Sequence, residues 1–140
     1  MSDISTDTDT SRERSTDGEL FVLGGGAVGA AVSRELQAAG HTVVLVDDAV
    51  DPPGIRTVEA TPTDVETLRE AGLPAASAVV VASQSDRRNL LLAQSIRVRF
   101  DTPRVVVLVN SDDRVDLFAD AGHEVVCATS AVSTAVAEQV

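Results

Sequence analysis

The stretch Leu20-Phe21-Val22-Leu23-Gly24-Gly25-Gly26-Ala27-Val28-Gly29 decides how this chain reads. A short, wholly apolar run that stops at glycine suits a strand buried on both faces of a parallel sheet. The glycines fall in the spacing G-x-G-x-x-G, and Ala27 to Ala39 continues in helix-forming residues up to a stop at Gly40. Strand, glycine turn and helix therefore follow one another without a gap.

Outward from that point the alternation persists. Thr42 to Val46 is predicted as the second strand, ending at Asp47, and Asp51-Pro52-Pro53-Gly54 is turn chemistry. Ile55 to Val58 is the third strand. Thr63 to Ala71 is a helix with Thr63 as N-cap and Glu66 in the capping-box position. The second half repeats the pattern: strands at Ala78 to Ala82, Arg104 to Val109 and Glu124 to Cys127. Between and after them lie helices at Asp86 to Val98, Asp112 to Ala121 and Ala131 to Gln139. Regular β-α alternation implies a parallel sheet with right-handed crossovers. Two such halves make an α/β Rossmann-type, doubly wound fold of six strands in the order 3-2-1-4-5-6.

In that context the glycines acquire chemistry. Gly24 is expected to let the chain turn tightly, Gly26 to let the backbone approach a pyrophosphate, and Gly29 to let the helix pack closely. The N–H groups and positive dipole end of the helix opened by Ala27 and Val28 then hold phosphates. Asp47, at the end of the second strand, is placed to accept hydrogen bonds from both ribose hydroxyls. It would repel a 2′-phosphate, and Asp48 rather than an arginine follows it. NAD(H) is therefore preferred, ATP or ADP remain open, and NADP is disfavoured. Ligands of this fold sit at the carboxyl ends of the strands. That edge collects Glu59-Ala60-Thr61, Ser83-Gln84-Ser85-Asp86, Asn89 and Asn110. His41 and His123 fall at the opposite edge, and Cys127 inside an apolar strand is expected to be buried and inert.

Composition sets the outer bounds. The 140 residues are one domain's worth, 44% of them apolar but without Trp or Tyr, so the core must be aliphatic. The formal charge is −11 from 22 acids and 11 bases, all of them arginine. An acidic chain without a basic stripe argues against nucleic acid and anionic membranes. The acidity suits a salty cytoplasm, where charge repulsion is screened. Residues 1–18 are polar and are expected to be a disordered tail, with the folded domain at 19–140. No signal peptide is visible, no apolar run is long enough to enter a membrane, and a lone cysteine suits a reducing, cytoplasmic setting. Without Tyr or Lys, a Tyr-Lys dehydrogenase pair is impossible, and no catalytic or metal-ligating set is visible.

From Leu20 to about Val126 the chain resembles the TrkA N-terminal, or RCK/KTN, domain of potassium transport regulators. The resemblance rests on Val22 to Gly29, Val43-Val44-Leu45-Val46-Asp47, Ala60 to Gly72, Ala78 to Ala82, Asp86 to Leu90 and Leu117 to Gly122. Val58-Glu59 stands where that family usually has Gly-Asp, and the resemblance does not extend to the family's C-terminal regulatory lobe. The resemblance implies a regulatory module that binds an adenine nucleotide, assembles as a homo-oligomer and acts on a potassium-transporter membrane subunit. A stand-alone NAD-dependent oxidoreductase subunit and a degenerate protein-binding scaffold are the alternatives.

Overall fold

The computed structural model describes residues 18–101 and 104–140. The expected tail at residues 1–18 lies, except for Gly18, outside the described residues. Six parallel strands form one sheet: β1 (Leu20–Leu23), β2 (Val43–Val46), β3 (Arg56–Val58), β4 (Ala78–Val81), β5 (Val105–Val109) and β6 (Glu124–Cys127). Their order is β3-β2-β1-β4-β5-β6, as the alternation predicts. The helices are α1 (Ala27–Ala38), α2 (Val65–Ala71), α3 (Asp86–Phe100), α4 (Val115–Asp120) and α5 (Ala128–Gln139).

β1 sits at the centre, paired with β2 through Leu20↔Val43 to Leu23↔Val46 and with β4 through Leu20↔Ala78 to Leu23↔Val81. Its apolar run is explained by that position, since Phe21, Val22 and Leu23 have no exposed surface. Alternate side chains feed two cores. Phe21, Leu23, Val44, Val46, Val79, Val81 and Val107 pack with Leu68 of α2, Leu92 and Ile96 of α3, and Phe118 of α4. On the other face Val22, Val43 and Leu45 pack with Ala30 of α1 and with Ile55. That second face is only half covered. Beyond α1, Val80, Val106, Leu108 and the 46% exposed Val126 line an open apolar cavity of about 340 Å³ with Val28, Val32 and Leu36.

Several boundaries differ from expectation. Helix α2 is capped by Asp64, whose Oδ1 accepts from the Thr67 N–H at 3.3 Å. Thr63 is not the cap and the capping box does not form. The reason is local: Asp64 N–H already closes a turn onto the Thr61 carbonyl at 2.9 Å, which carries Thr63 outside the helix. The helix predicted from Asp112 is a 3₁₀ turn, Asp112–Arg114, followed by α4. Helix α5 starts at Ala128 rather than Ala131 and shows no buried residue over its length. Cys127 is not buried inside its strand. It is half-buried at the end of β6, and hydrogen bonds from Ser130, the backbone N–H first, hold its thiol below the usual range.

Candidate functional site

The carboxyl ends of β1 and β4 form the topological switch point, because α1 leaves toward one face and α3 toward the other. Between them the glycine turn is held by several contacts. Gly24 N–H donates to the Val46 carbonyl at 2.9 Å, and Val28 N–H to the Gly25 carbonyl at 3.0 Å. A Cβ on Gly29 would run into the Gly24 carbonyl, so this glycine lets the helix close onto the turn itself. Leu45 of the sheet is the next neighbour, at 3.6 Å. Gly26 is the N-cap of α1 at φ 56° and ψ −124°, a conformation that L side chains rarely adopt, and the space where its Cβ would stand is open. The first turn of α1 has neither a side-chain cap nor an acidic residue. Gly26 N–H already donates to Asp47 and Val28 N–H to the Gly25 carbonyl, so the Ala27 and Gly29 N–H groups and the helix dipole are what is left for an anion from outside the helix.

Asp47 is 4% exposed and is fixed by the backbone around it. Oδ2 accepts from Gly26 N–H at 3.1 Å, and Oδ1 from Ala49 N–H at 2.7 Å and Val50 N–H at 3.3 Å. A carboxylate offers about four acceptor positions. Three are occupied here, so Asp47 has room for about one further donor. The exposed Asp48 beside it lines the same cleft and has an acceptor bond of 3.5 Å from Thr61 Oγ1.

The cleft, about 190 Å³, brings together five of the residues expected from sequence: Gly24, Gly26, Asp47, Asp48 and Ser83. Leu23, Gly25, Ala49, Pro62, Arg88 and Leu92 complete its lining. Glu59, Ala60, Thr61 and Gln84 are not among the lining residues. Ala27 and Val28 instead line a shallow apolar surface along α1 with Ala31, Val32, Glu35 and Leu36. Sequence reasoning missed Arg88 and Leu92. The available signal was the pair Arg87-Arg88 in the first turn of the helix that follows β4.

Ser83 is positioned by a buried polar cluster. Asn89, with no exposed surface, accepts from Ser83 N–H at 3.1 Å and Ser83 Oγ at 2.6 Å. Its amide donates to the Ser83 carbonyl at 2.8 Å and the Leu108 carbonyl at 2.9 Å. Asp86 accepts from the N–H groups of Asn110 at 2.7 Å and Ser111 at 3.0 Å, and Arg114 lies 3.7 Å from its carboxylate. These groups tie β4 to β5, and their polar atoms are engaged within the protein. His123 is buried at the opposite edge with both ring nitrogens unpartnered; burial, and then Arg97, lowers its pKa. Among the described residues no cluster of His, Cys, Asp or Glu could hold a metal ion. No described helix is long and apolar enough to cross a membrane.

The TrkA-N domain family matches residues 20–129, which include the glycine turn, Asp47 and all six strands. The chain belongs to the TrkA-N family. The Trk system potassium uptake protein TrkA of Streptomyces coelicolor is 30% identical over 112 residues, covering 74% of this chain and 49% of that protein. The TrkA of Mycobacterium tuberculosis is 31% identical over 128 residues, covering 86% and 58%. This TrkA-N chain thus spans about half the length of the curated relatives it matches. Among solved structures, the NAD(P)-binding domain of an exopolyphosphatase-related protein from Archaeoglobus fulgidus is 31% identical, with a TM-score of 0.72. It covers 85% of this chain and 95% of that one. The GsuK channel bound to NAD is 28% identical with a TM-score of 0.75, over 85% of this chain and 22% of the channel. GsuK has also been solved bound to ADP.

Proposed function

We propose that this chain is the nucleotide-sensing module of a potassium uptake system and not an enzyme. It would bind an adenine nucleotide with a free 2′-hydroxyl, NAD(H) ahead of ATP or ADP and with NADP disfavoured. The single observation that carries this reading is that Gly26, the N-cap of α1 with no side-chain cap and no acidic residue in the turn after it, lines the same cleft as Asp47 and Asp48. A helix N-terminus attracts phosphate, while a carboxylate beside it favours a ribose hydroxyl over a 2′-phosphate. The ligand's backbone and ribose contacts fall to Gly24, Gly26, Ala27, Val28, Gly29, Asp47 and Asp48. Ser83 lines the cleft with Gly24, Gly26, Asp47 and Asp48, and Glu59, Ala60, Thr61 and Gln84 would form its rim. Ligand-bound GsuK supports the ligand class, and the TrkA relatives support the transport setting. With no Tyr or Lys, the sequence offers no Tyr-Lys pair for hydride chemistry.

In the same reading the chain works as a cytoplasmic homo-oligomer beside a membrane subunit. A parallel sheet is normally covered on both faces. Here the Val80, Val106, Leu108 and Val126 surface is open, and Val132 and Val136 of α5 are 61% and 58% exposed. Residues 1–18 would be a tail and 19–140 the nucleotide-binding unit.

Thermal unfolding with NAD+, NADH, NADP+, ATP and ADP tests the proposal. A ligand at 100 times its dissociation constant stabilises a fold by about 2.7 kcal/mol. A rise in Tm with NAD(H), ATP or ADP but not NADP+ is expected. Unchanged melting with every nucleotide would leave the scaffold reading.

A further inference from the structure

The nucleotide cleft is smaller than what it is asked to hold. Its volume of about 190 Å³ lies below the ~300–1,000 Å³ typical of small-molecule sites, so a bound nucleotide must extend past it. A second cavity, of about 470 Å³, adjoins it along α3, lined by Thr63, Ser85, Arg87, Arg88, Leu91, Leu92 and Ser95. Arg88 and Leu92 line both cavities. The α3 groove brings two guanidinium groups, three hydroxyls and no carboxylate to the mouth of the site, on a chain whose formal charge is −11. Neither Arg87 nor Arg88 makes an ion pair among the described residues.

The placement of these cations carries a local cost. They stand in the first turn of a helix, where the macrodipole disfavours positive charge. Asp86 in the same turn does not face them with a free carboxylate, because its oxygens are engaged by Asn110 and Ser111. The Ser85 hydroxyl accepts from Arg88 N–H at 3.2 Å and fixes this turn against the switch point. A local conflict of this kind, next to a cleft lined by the glycine turn, is relieved by an anion.

Resting on the nucleotide-binding reading above, we propose that Arg88 grips the phosphates of a ligand seated at the glycine turn and that Arg87 reads a further phosphate along the α3 groove. The site then discriminates adenine ligands by phosphate number. Among adenosine, ADP and ATP, adenosine binds weakest, ADP binds through Arg88 and ATP gains from Arg87 as well, while NAD+ engages Arg88 with its pyrophosphate. Arginine suits this task because its planar fork offers paired donors to phosphate oxygens.

Isothermal titration calorimetry on the full chain, with adenosine, AMP, ADP, ATP and NAD+, tests it in wild type, Arg88→Gln and Arg87→Gln. Charge-assisted hydrogen bonds of this kind should make Arg88→Gln weaken ADP and NAD+ about ten-fold or more and adenosine less than about two-fold. Arg87→Gln should weaken ATP about five-fold or more and leave ADP within about two-fold. Both side chains are exposed, so circular dichroism should show an unchanged fold. Tight ADP binding that Arg88→Gln does not weaken, or wild type that binds adenosine as well as ADP, would overturn the inference and leave the nucleotide reading standing. Binding of none of these ligands to wild type would overturn both.

Discussion

Replacing Asp47 by alanine should destabilise the ligand-free protein as well as weaken ligand binding. The buried carboxylate receives N–H groups from Gly26 at 3.1 Å, Ala49 at 2.7 Å and Val50 at 3.3 Å. Hydrogen bonds to a charged acceptor contribute roughly 1.5–3 kcal/mol each, and orphaned donors add their own desolvation cost. The longest of these bonds contributes least, and the cleft admits water to Gly26. The expected loss is therefore about 2–4 kcal/mol. For a domain of this size a kilocalorie moves Tm by roughly 4 °C, so a fall of about 8–16 °C is expected without nucleotide. Urea unfolding of wild type, Asp47→Ala and Asp47→Asn, all ligand-free, measures it. Asp47→Asn keeps an acceptor oxygen and should lose about half as much. If Asp47→Ala unfolds within about 0.5 kcal/mol of wild type, the carboxylate is not what holds the turn, and the reasoning fails.

The other predictions concern the turn and the far edge of the sheet. Gly29→Ala should cost about 3 kcal/mol or more, because the new Cβ meets the Gly24 backbone carbonyl, which no rotamer change can move aside. A urea midpoint near that of wild type would contradict the packing described for the turn. His123 is neutral-favouring in the fold, since burial and Arg97 lower its pKa from 6.5. The unfolded chain then binds the proton first, so stability is complete above about pH 7.5 and falls as pH drops through the unfolded value toward the folded one. The slope should approach about 1.4 kcal/mol per pH unit at most, and His123→Leu should flatten it between about pH 7 and pH 5. Equal slopes in the two proteins would assign the acid sensitivity elsewhere.

The sheet order and the location of the site are legible in the sequence because each rests on local chemistry. Only a central parallel strand makes the wholly apolar run Leu20 to Leu23 sensible, and only a tight turn into a helix makes the glycine spacing sensible. Cap chemistry is local too, yet it failed at Thr63, because Thr63 and Asp64 compete for one role and the turn from Thr61 to Asp64 decides between them. Cys127 departs from expectation for a similar reason. The apolar letters around it do not say that β6 is an edge strand running straight into an exposed helix.

The residues at the strand ends divide in a way that sequence spacing cannot show. Asn89 lies near Ser83 in the chain, but whether its amide faces a ligand or the Leu108 carbonyl depends on how closely β5 approaches. Arg88 reaches the glycine turn only because β4 pairs with β1, which sets the start of α3 beside the start of α1. By itself, then, the sequence determined the strand–turn–helix units, their parallel order, the acidic surface and the position of Asp47, since those depend on nearest neighbours and hydrophobic pattern. Which lone pairs of Asp47 are left, which arginine meets the cleft and which face of the sheet stays open were decided by the tertiary structure. Each depends on distances between segments that are far apart along the chain.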